Sequence, residues 1–135
     1  MTKDLTAEHQ MLFALASKAQ QNAYAPYSNF HVGVAILDEN AQLHAGCNVE
    51  NAAYPLGQCA EAGAIAAMVA SGCQSIKQLL IASPNDDFCS PCGGCRQKIA
   101  EFANEQTEIH LVTKQGQVKT VQFTELLPLA FEFDK

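Results

Sequence analysis

No cluster of lysine and arginine occurs anywhere in this chain, and that absence limits its partners first. Its 135 residues hold 8 Lys and Arg against 14 Asp and Glu, for a formal net charge of −6. A surface built to grip phosphate backbones carries a basic stripe, so a polynucleotide substrate or partner is not expected. No apolar stretch approaches the roughly 18 residues that span a bilayer, and the residues after Met1 are polar, unlike the apolar run of a secretory leader. The chain is therefore expected in the cytoplasm, with no membrane partner. It also lacks an internal repeat, a low-complexity tract and a linker, so one domain over residues 1–135 is expected. In a reducing compartment its six cysteines read as reduced, metal-bound or catalytic thiols, not as disulfides.

The hydrophobic pattern alternates between helical and extended periods. Leu5, Leu12, Leu15, Ala16 and Ala19 lie at helical spacing, with a helix start near Thr6 and an end near Asn22. Phe30 to Leu37 alternates through Val32, Val34 and Ile36 as a strand does. Asp38-Glu39-Asn40 makes a turn, and Leu43 to Val49 reads as the returning strand of a hairpin. Gln58 to Ser71 is Ala-rich and apolar, the pattern of a buried helix ending at Gly72. Ile76 to Ser83 is a covered strand, Arg96 to Asn104 is helical, and two strands follow over Glu108–Val112 and Val118–Val121. A short, partly helical tail closes the chain. The order predicts an α/β fold, a three-layer α/β/α sandwich with helices on both faces of a mixed, roughly five-stranded sheet.

Cys59-Ala60-Glu61 opens the second of these helices, and Pro91-Cys92-Gly93-Gly94-Cys95 precedes the third, 33 residues on. Both are strand–loop–helix junctions, which in an α/β sheet gather where ligands bind. Helix N-termini favour thiolate, and three thiolates with one open position are the donor set of a catalytic zinc. Such a metal acidifies a bound water. Glu61, two residues beyond the first thiol, places a carboxylate beside the metal as a proton carrier without making it a ligand. Two other readings use the same cysteines. Cys89, Cys92 and Cys95 fit part of an iron–sulfur spacing, and Cys59, Cys89, Cys92 and Cys95 suffice for a structural zinc. Neither uses Glu61. Cys47 and Cys73 read as core fillers, Cys89 as a loop residue outside the ligand set. The four histidines are scattered, with none at ligand spacing from another.

Cys59-Ala60-Glu61 with Pro91-Cys92-Gly93-Gly94-Cys95 resembles the zinc deaminase signature, in which a glutamate follows the first ligand and P-C-x-x-C supplies the others. Cysteine at the first position is similar to the small tetrameric cytidine deaminases that act on free nucleosides. The likeness continues through Tyr27-Ser28-Asn29-Phe30, Val32-Gly33-Val34-Ala35, Gly46 to Tyr54, Cys95-Arg96-Gln97 and Leu126-Leu127-Pro128, so it covers nearly the whole chain. The resemblance implies one Zn2+ per subunit on Cys59, Cys92 and Cys95, with Glu61 catalytic. It implies deamination of cytidine and deoxycytidine, with blasticidin as the substrate of a related alternative. It also implies that Asn48 and Glu50 bind the ribose hydroxyls and that Phe30 packs on the pyrimidine. Tyr54 and Phe131 would complete a neighbouring subunit's pocket in a homotetramer. The chain departs from the family at Ala62, where many tetrameric relatives carry an arginine that offsets the thiolate charge. Helix N-termini or Arg96 are expected to supply that compensation here.

Overall fold

The computed structural model describes residues 2–135; Met1 lies outside the described residues. The elements are β1 (Thr2–Asp4), α1 (Ala7–Gln21), β2 (Gly33–Asp38), β3 (Leu43–Cys47), a 3-10 turn (Tyr54–Leu56), α2 (Ala60–Ala70), β4 (Ile76–Ala82), α3 (Gly93–Ala100), β5 (Glu108–Val112), β6 (Gln117–Gln122) and α4 (Phe123–Leu126). The sheet has six strands in the order β1-β6-β5-β4-β2-β3. Only β4 and β5 are parallel; the other pairings are antiparallel.

Alternation along the central strands divides the core into two layers. Leu79 and Ile81 of β4 face one side, with Val34, Ile36, Ile109 and Leu111, under Ala64, Ile65 and Met68 of α2 and Ile99 of α3. Leu80 and Ala82 face the other, with Ala35 and Val112, under Leu12 and Ala16 of α1. This is the expected three-layer arrangement. Thr6 caps α1 by accepting from the His9 amide, satisfying one of the first orphan donors.

Two glycines set how closely the helices approach. A Cβ on Gly33 would lie 1.9 Å from the Ala16 carbonyl oxygen, and one on Gly46 would lie 2.3 Å from the Ala64 amide nitrogen. The backbones of α1 and α2 therefore rest directly on β2 and β3.

The boundaries differ from the sequence reading in three places. The sixth strand, β1, pairs Thr2 with Lys119 and Asp4 with Gln117; a polar edge strand needs only backbone bonds and shows no alternation. The strand expected from Phe30 begins at Gly33. Ahead of it, Asn29 adopts φ 55°, and the Asn48 side chain accepts from the Val32 amide and donates to the Phe30 carbonyl. The third helix starts at Gly93 and ends at Ala100, earlier at both ends than expected. Its first two residues are glycines, whose poor helix propensity conceals the start. Among the described residues, no helix is long and apolar enough to cross a membrane.

Candidate metal centre and pocket

Strand direction explains why two distant cysteine motifs meet. The α2 helix enters the amino end of β4, so it runs back along the strand and its N-terminus lies at the carboxyl end of β4. The α3 helix leaves β4 at that same end. Both helix N-termini therefore reach one edge of the sheet, as the sequence reading expected.

Cys59 is the N-cap of α2 and Cys92 the N-cap of α3, each with extended backbone. Cys95 sits on the first turn of α3 and is buried, whereas Cys59 and Cys92 face the opening. The three sulfur atoms lie within 4.8 Å of one another. Their protonation differs with surroundings. Burial pushes the Cys59 and Cys95 thiols up, and the neighbouring Glu61 carboxylate adds to the rise at both. The backbone amide of Cys95 draws the Cys92 thiol down against its partial burial. Three convergent sulfurs form a donor set suited to zinc, and a bound cation deprotonates coordinating thiols outright.

Glu61, on the first turn of α2, is only 6% exposed. Burial raises its pKa, and backbone amide, Cys95 and Lys98 only partly oppose the rise. The carboxyl is therefore poised to hold a proton nearer neutrality than an ordinary glutamate.

A cavity of about 220 Å³ opens onto this group, lined among others by Phe30, Asn48, Cys59, Glu61, Cys89 and Cys92. The structure thus brings together Phe30, Asn48, Glu61 and two of the three thiols on one wall. Glu50 and Tyr54 line a separate opening of about 330 Å³ with Tyr27 and Ser28. Glu50 accepts from the amides of Tyr27 and Ser28 at 3.0 and 3.1 Å, and from the Ser28 hydroxyl. The Ser28 hydroxyl, with these amides, holds the Glu50 carboxyl below its usual range despite some desolvation. Tyr54 is 76% exposed and meets Tyr27 edge-on at 6.1 Å. Phe131 is not among the residues that line either opening. Its carbonyl accepts from Gln97, and its exposed ring meets Phe133 edge-on.

Two residues take parts beyond those the sequence reading gave them, Cys89 as a loop residue outside the ligand set and Arg96 as a candidate for charge compensation. Cys89 is a loop residue outside the sulfur triad, yet it lines the cavity, and burial pushes its thiol up to about 11. Arg96 spends its guanidinium on the Pro91 carbonyl (2.9 Å), the Leu126 carbonyl (2.8 Å) and the Ser90 hydroxyl (3.0 Å). It ties the loop before Cys92 to α4, one turn from the sulfur triad. Arginine after a P-C-x-x-C run was the available signal, but its acceptors are distant in sequence.

Residues 6–111 match a family described as the cytidine and deoxycytidylate deaminase zinc-binding region. The chain is 41% identical over 122 residues to a cytidine deaminase of Sporosarcina psychrophila, covering 90% of each. The crystal structure of cytidine deaminase from Burkholderia pseudomallei superposes with a TM-score of 0.86 at 37% identity, covering 94% of this chain and 100% of the other. That from Mycobacterium tuberculosis gives 0.82 at 32% identity, covering 95% and 100%.

Proposed function

This chain belongs to the cytidine and deoxycytidylate deaminase family, and from that premise we propose that it hydrolyses cytidine and deoxycytidine to uridine and deoxyuridine with release of ammonia. The observation that carries the reading is the buried Glu61 carboxyl on the wall of a cavity where three thiols converge. Cys59, Cys92 and Cys95 would hold one zinc ion per chain, which when bound would supply a Lewis acid and lower the pKa of a water toward neutrality.

The chain's own residues move the protons and hold the nucleoside. Glu61 takes a proton from the attacking water and delivers it to ring N3, which makes C4 electrophilic. The water oxygen bonds to C4; Glu61 then takes the proton of the new C4 hydroxyl and passes it to the amine, and as the C4–N4 bond breaks the C4 carbonyl forms and ammonia leaves. A carboxyl whose pKa is raised by burial holds a proton more readily than an ordinary glutamate, which suits it to both transfers. Phe30 packs on the pyrimidine, while Asn48 and Glu50 receive the ribose hydroxyls. The backbone bonds already made by Asn48 and Glu50 hold both groups in place before substrate arrives.

Three thiolates on a divalent ion carry a formal charge of −1. Here Ala62 offers no cation. The N-termini of α2 and α3, each worth about half a positive charge, carry Cys59 and Cys92 as their caps and supply the compensation, with Lys98 acting on Glu61.

The chain acts as a single catalytic domain over residues 1–135, in the cytoplasm, where its six free thiols stay reduced. It assembles as a homotetramer with shared pockets. Two features support assembly. Helix α2 buries Ala64, Ile65 and Met68 yet leaves Ala66, Ala67, Val69 and Ala70 exposed, and a helix apolar all round belongs in an interior. Tyr54 and Phe131 stand exposed, free to complete a neighbour's pocket.

Glu61→Gln tests the chemistry. Cytidine turnover, followed by ultraviolet absorbance, is expected to fall by about 10²–10⁴-fold while bound zinc is unchanged. Turnover surviving with zinc retained overturns the assignment. Blasticidin and single-stranded oligonucleotide serve as rival substrates, and a sizing column reads the assembly.

A further inference from the structure

A second cluster of ligating groups lies at the opposite end of the sheet. Strand register places Gly33 beside Ala82 and Asp38 beside Ile76, so Asp38 sits at the amino end of β4, away from the Cys59 triad. At about 3.3 Å per strand residue, the two ends are about 17 Å apart. There the Asp38 carboxylate, the His44 imidazole and the Cys73 thiol bring their ligating atoms within 4.8 Å of one another. Asp38 and Cys73 are buried, and the His44 side chain is 9% exposed.

The surroundings are those of a built site. One Asp38 oxygen accepts from the amides of Asn40 and Gln42, at 2.8 and 3.0 Å, and the other meets His44 Nε2 at 2.6 Å. The Asn40 side-chain amide donates to the Cys73 sulfur at 3.5 Å, and the Cys73 thiol donates to the Gln42 side-chain oxygen Oε1 at 3.8 Å. Gln42 thus offers a fourth donor. Among the described residues, His44 is the sole ion-pair partner of Asp38. No lysine or arginine among them is paired with this carboxylate, so a cation arriving there meets no fixed ammonium or guanidinium charge.

The same three residue types also compose nucleophilic triads, but their order here is wrong for that chemistry. A nucleophilic cysteine needs the imidazole between thiol and carboxylate, whereas Asp38 stands between His44 and Cys73. The neighbouring Asp38 carboxylate, with burial, pushes the thiol up, the opposite of activation.

We propose that Asp38, His44 and Cys73, with Gln42 as a fourth donor, form a second site for a divalent d-block cation of the zinc class. Carboxylate, imidazole and thiolate are together the ligand types that zinc and cobalt accept. Binding releases the Cys73 thiol proton to solvent and leaves Asn40 donating to the thiolate. Oxygen and nitrogen on one tetrahedral zinc sit about 3.3 Å apart, so ligation opens the Asp38–His44 contact by about 0.7 Å, within reach of a side-chain rotation. The cation would clamp the β2–β3 hairpin to the loop that follows α2. The site uses none of the catalytic thiols, so its failure leaves the proposed deaminase reading untouched.

The test is metal stoichiometry on the whole chain. Protein stripped by chelator is reloaded with excess Zn2+ or Co2+, desalted and analysed by mass spectrometry for metal per chain. Two equivalents are expected in the unaltered protein and one in Cys73→Ala and in His44→Ala. Deaminase activity retained by these variants shows that they are folded and hold the catalytic ion. In Cys59→Ala, one equivalent is expected to persist, raise Tm on loading, and vanish when Cys73→Ala is added. A single equivalent in the unaltered protein that disappears with Cys59→Ala overturns the proposal. So does a second equivalent that survives both the Cys73 and the His44 substitution.

Discussion

Replacing Gly46 by alanine adds one methyl group, and the structure says where it goes. The new Cβ would lie 2.3 Å from the Ala64 amide nitrogen and 2.6 Å from the Ala60 carbonyl oxygen, where ordinary contact begins at 3.4 Å. Both neighbours are α2 backbone, so no side chain can swing aside and the helix itself must retreat by about 1 Å. Overpacking of this kind costs about 1–3 kcal/mol, which lowers the urea midpoint by about 1 M for a slope near 2 kcal/mol/M. The retreat carries Cys59 and Glu61, both on the first turn of that helix, away from Cys92 and Cys95 on α3. A displacement near 1 Å at a reacting centre costs about 10²-fold in rate. The expected result is a Gly46→Ala protein with a lower urea midpoint, weaker zinc retention and kcat/KM reduced about 10²-fold. Gly63→Ala is the control, because its Cβ would meet the Cys47 carbonyl at 3.6 Å, an ordinary contact. Helix propensity alone then favours the alanine by about 0.5–1 kcal/mol. Equal stability and activity of Gly46→Ala and the unaltered protein would refute the argument that α2 rests on this glycine.

Other consequences follow from particular groups. Arg96→Lys loses the forked bonds to Pro91 and Leu126, and zinc affinity is expected to fall about 10–100-fold, as for other residues that support metal ligands; competition with a chelating dye measures it. His110, buried between Gln78 and Thr120, is held down to about 4 by burial, aided by the neighbouring His9. The unfolded chain takes up that proton first as pH falls below about 6.5, so stability drops between pH 6.5 and 4, by up to about 3 kcal/mol. Urea unfolding of His110→Gln is expected to show a flatter profile in that window. Asp38 is depressed because its bonds from His44, Gln42 and Asn40 outweigh desolvation. Its contribution is present above the unfolded value near 4 and is lost in more acidic solution. Asp38→Asn removes this acid limb. Chelation is expected to abolish deaminase activity, and added zinc to restore it.

Local order in the chain carried the chemistry of the thiol site. Cys59 with Glu61, and Cys92 with Cys95, each lie within one helical turn, so spacing alone placed a thiol beside a carboxyl and two thiols side by side. Alternation likewise marked β2, and a continuous apolar run marked β4, which is buried along nearly its whole length. The polar strand β1 was hidden, since its bonds are made by backbone to β6 and leave no side-chain pattern. Phe30 to Val32 alternated as a strand would, yet Asn48, 16 residues away from Val32, took over their hydrogen bonds.

Residue type and short-range spacing thus determined which groups can bind metal and carry a proton, and which segments fold as helix or strand. Only the tertiary structure decided which of those groups meet. Cys59 and Cys92 converge because α2 runs back along β4 while α3 departs from the same end. Asp38, His44 and Cys73 had no motif at all, and they come together because the β2–β3 hairpin packs against the loop that follows α2. Contacts between segments distant in sequence depend on strand order and direction, which a one-dimensional pattern does not record.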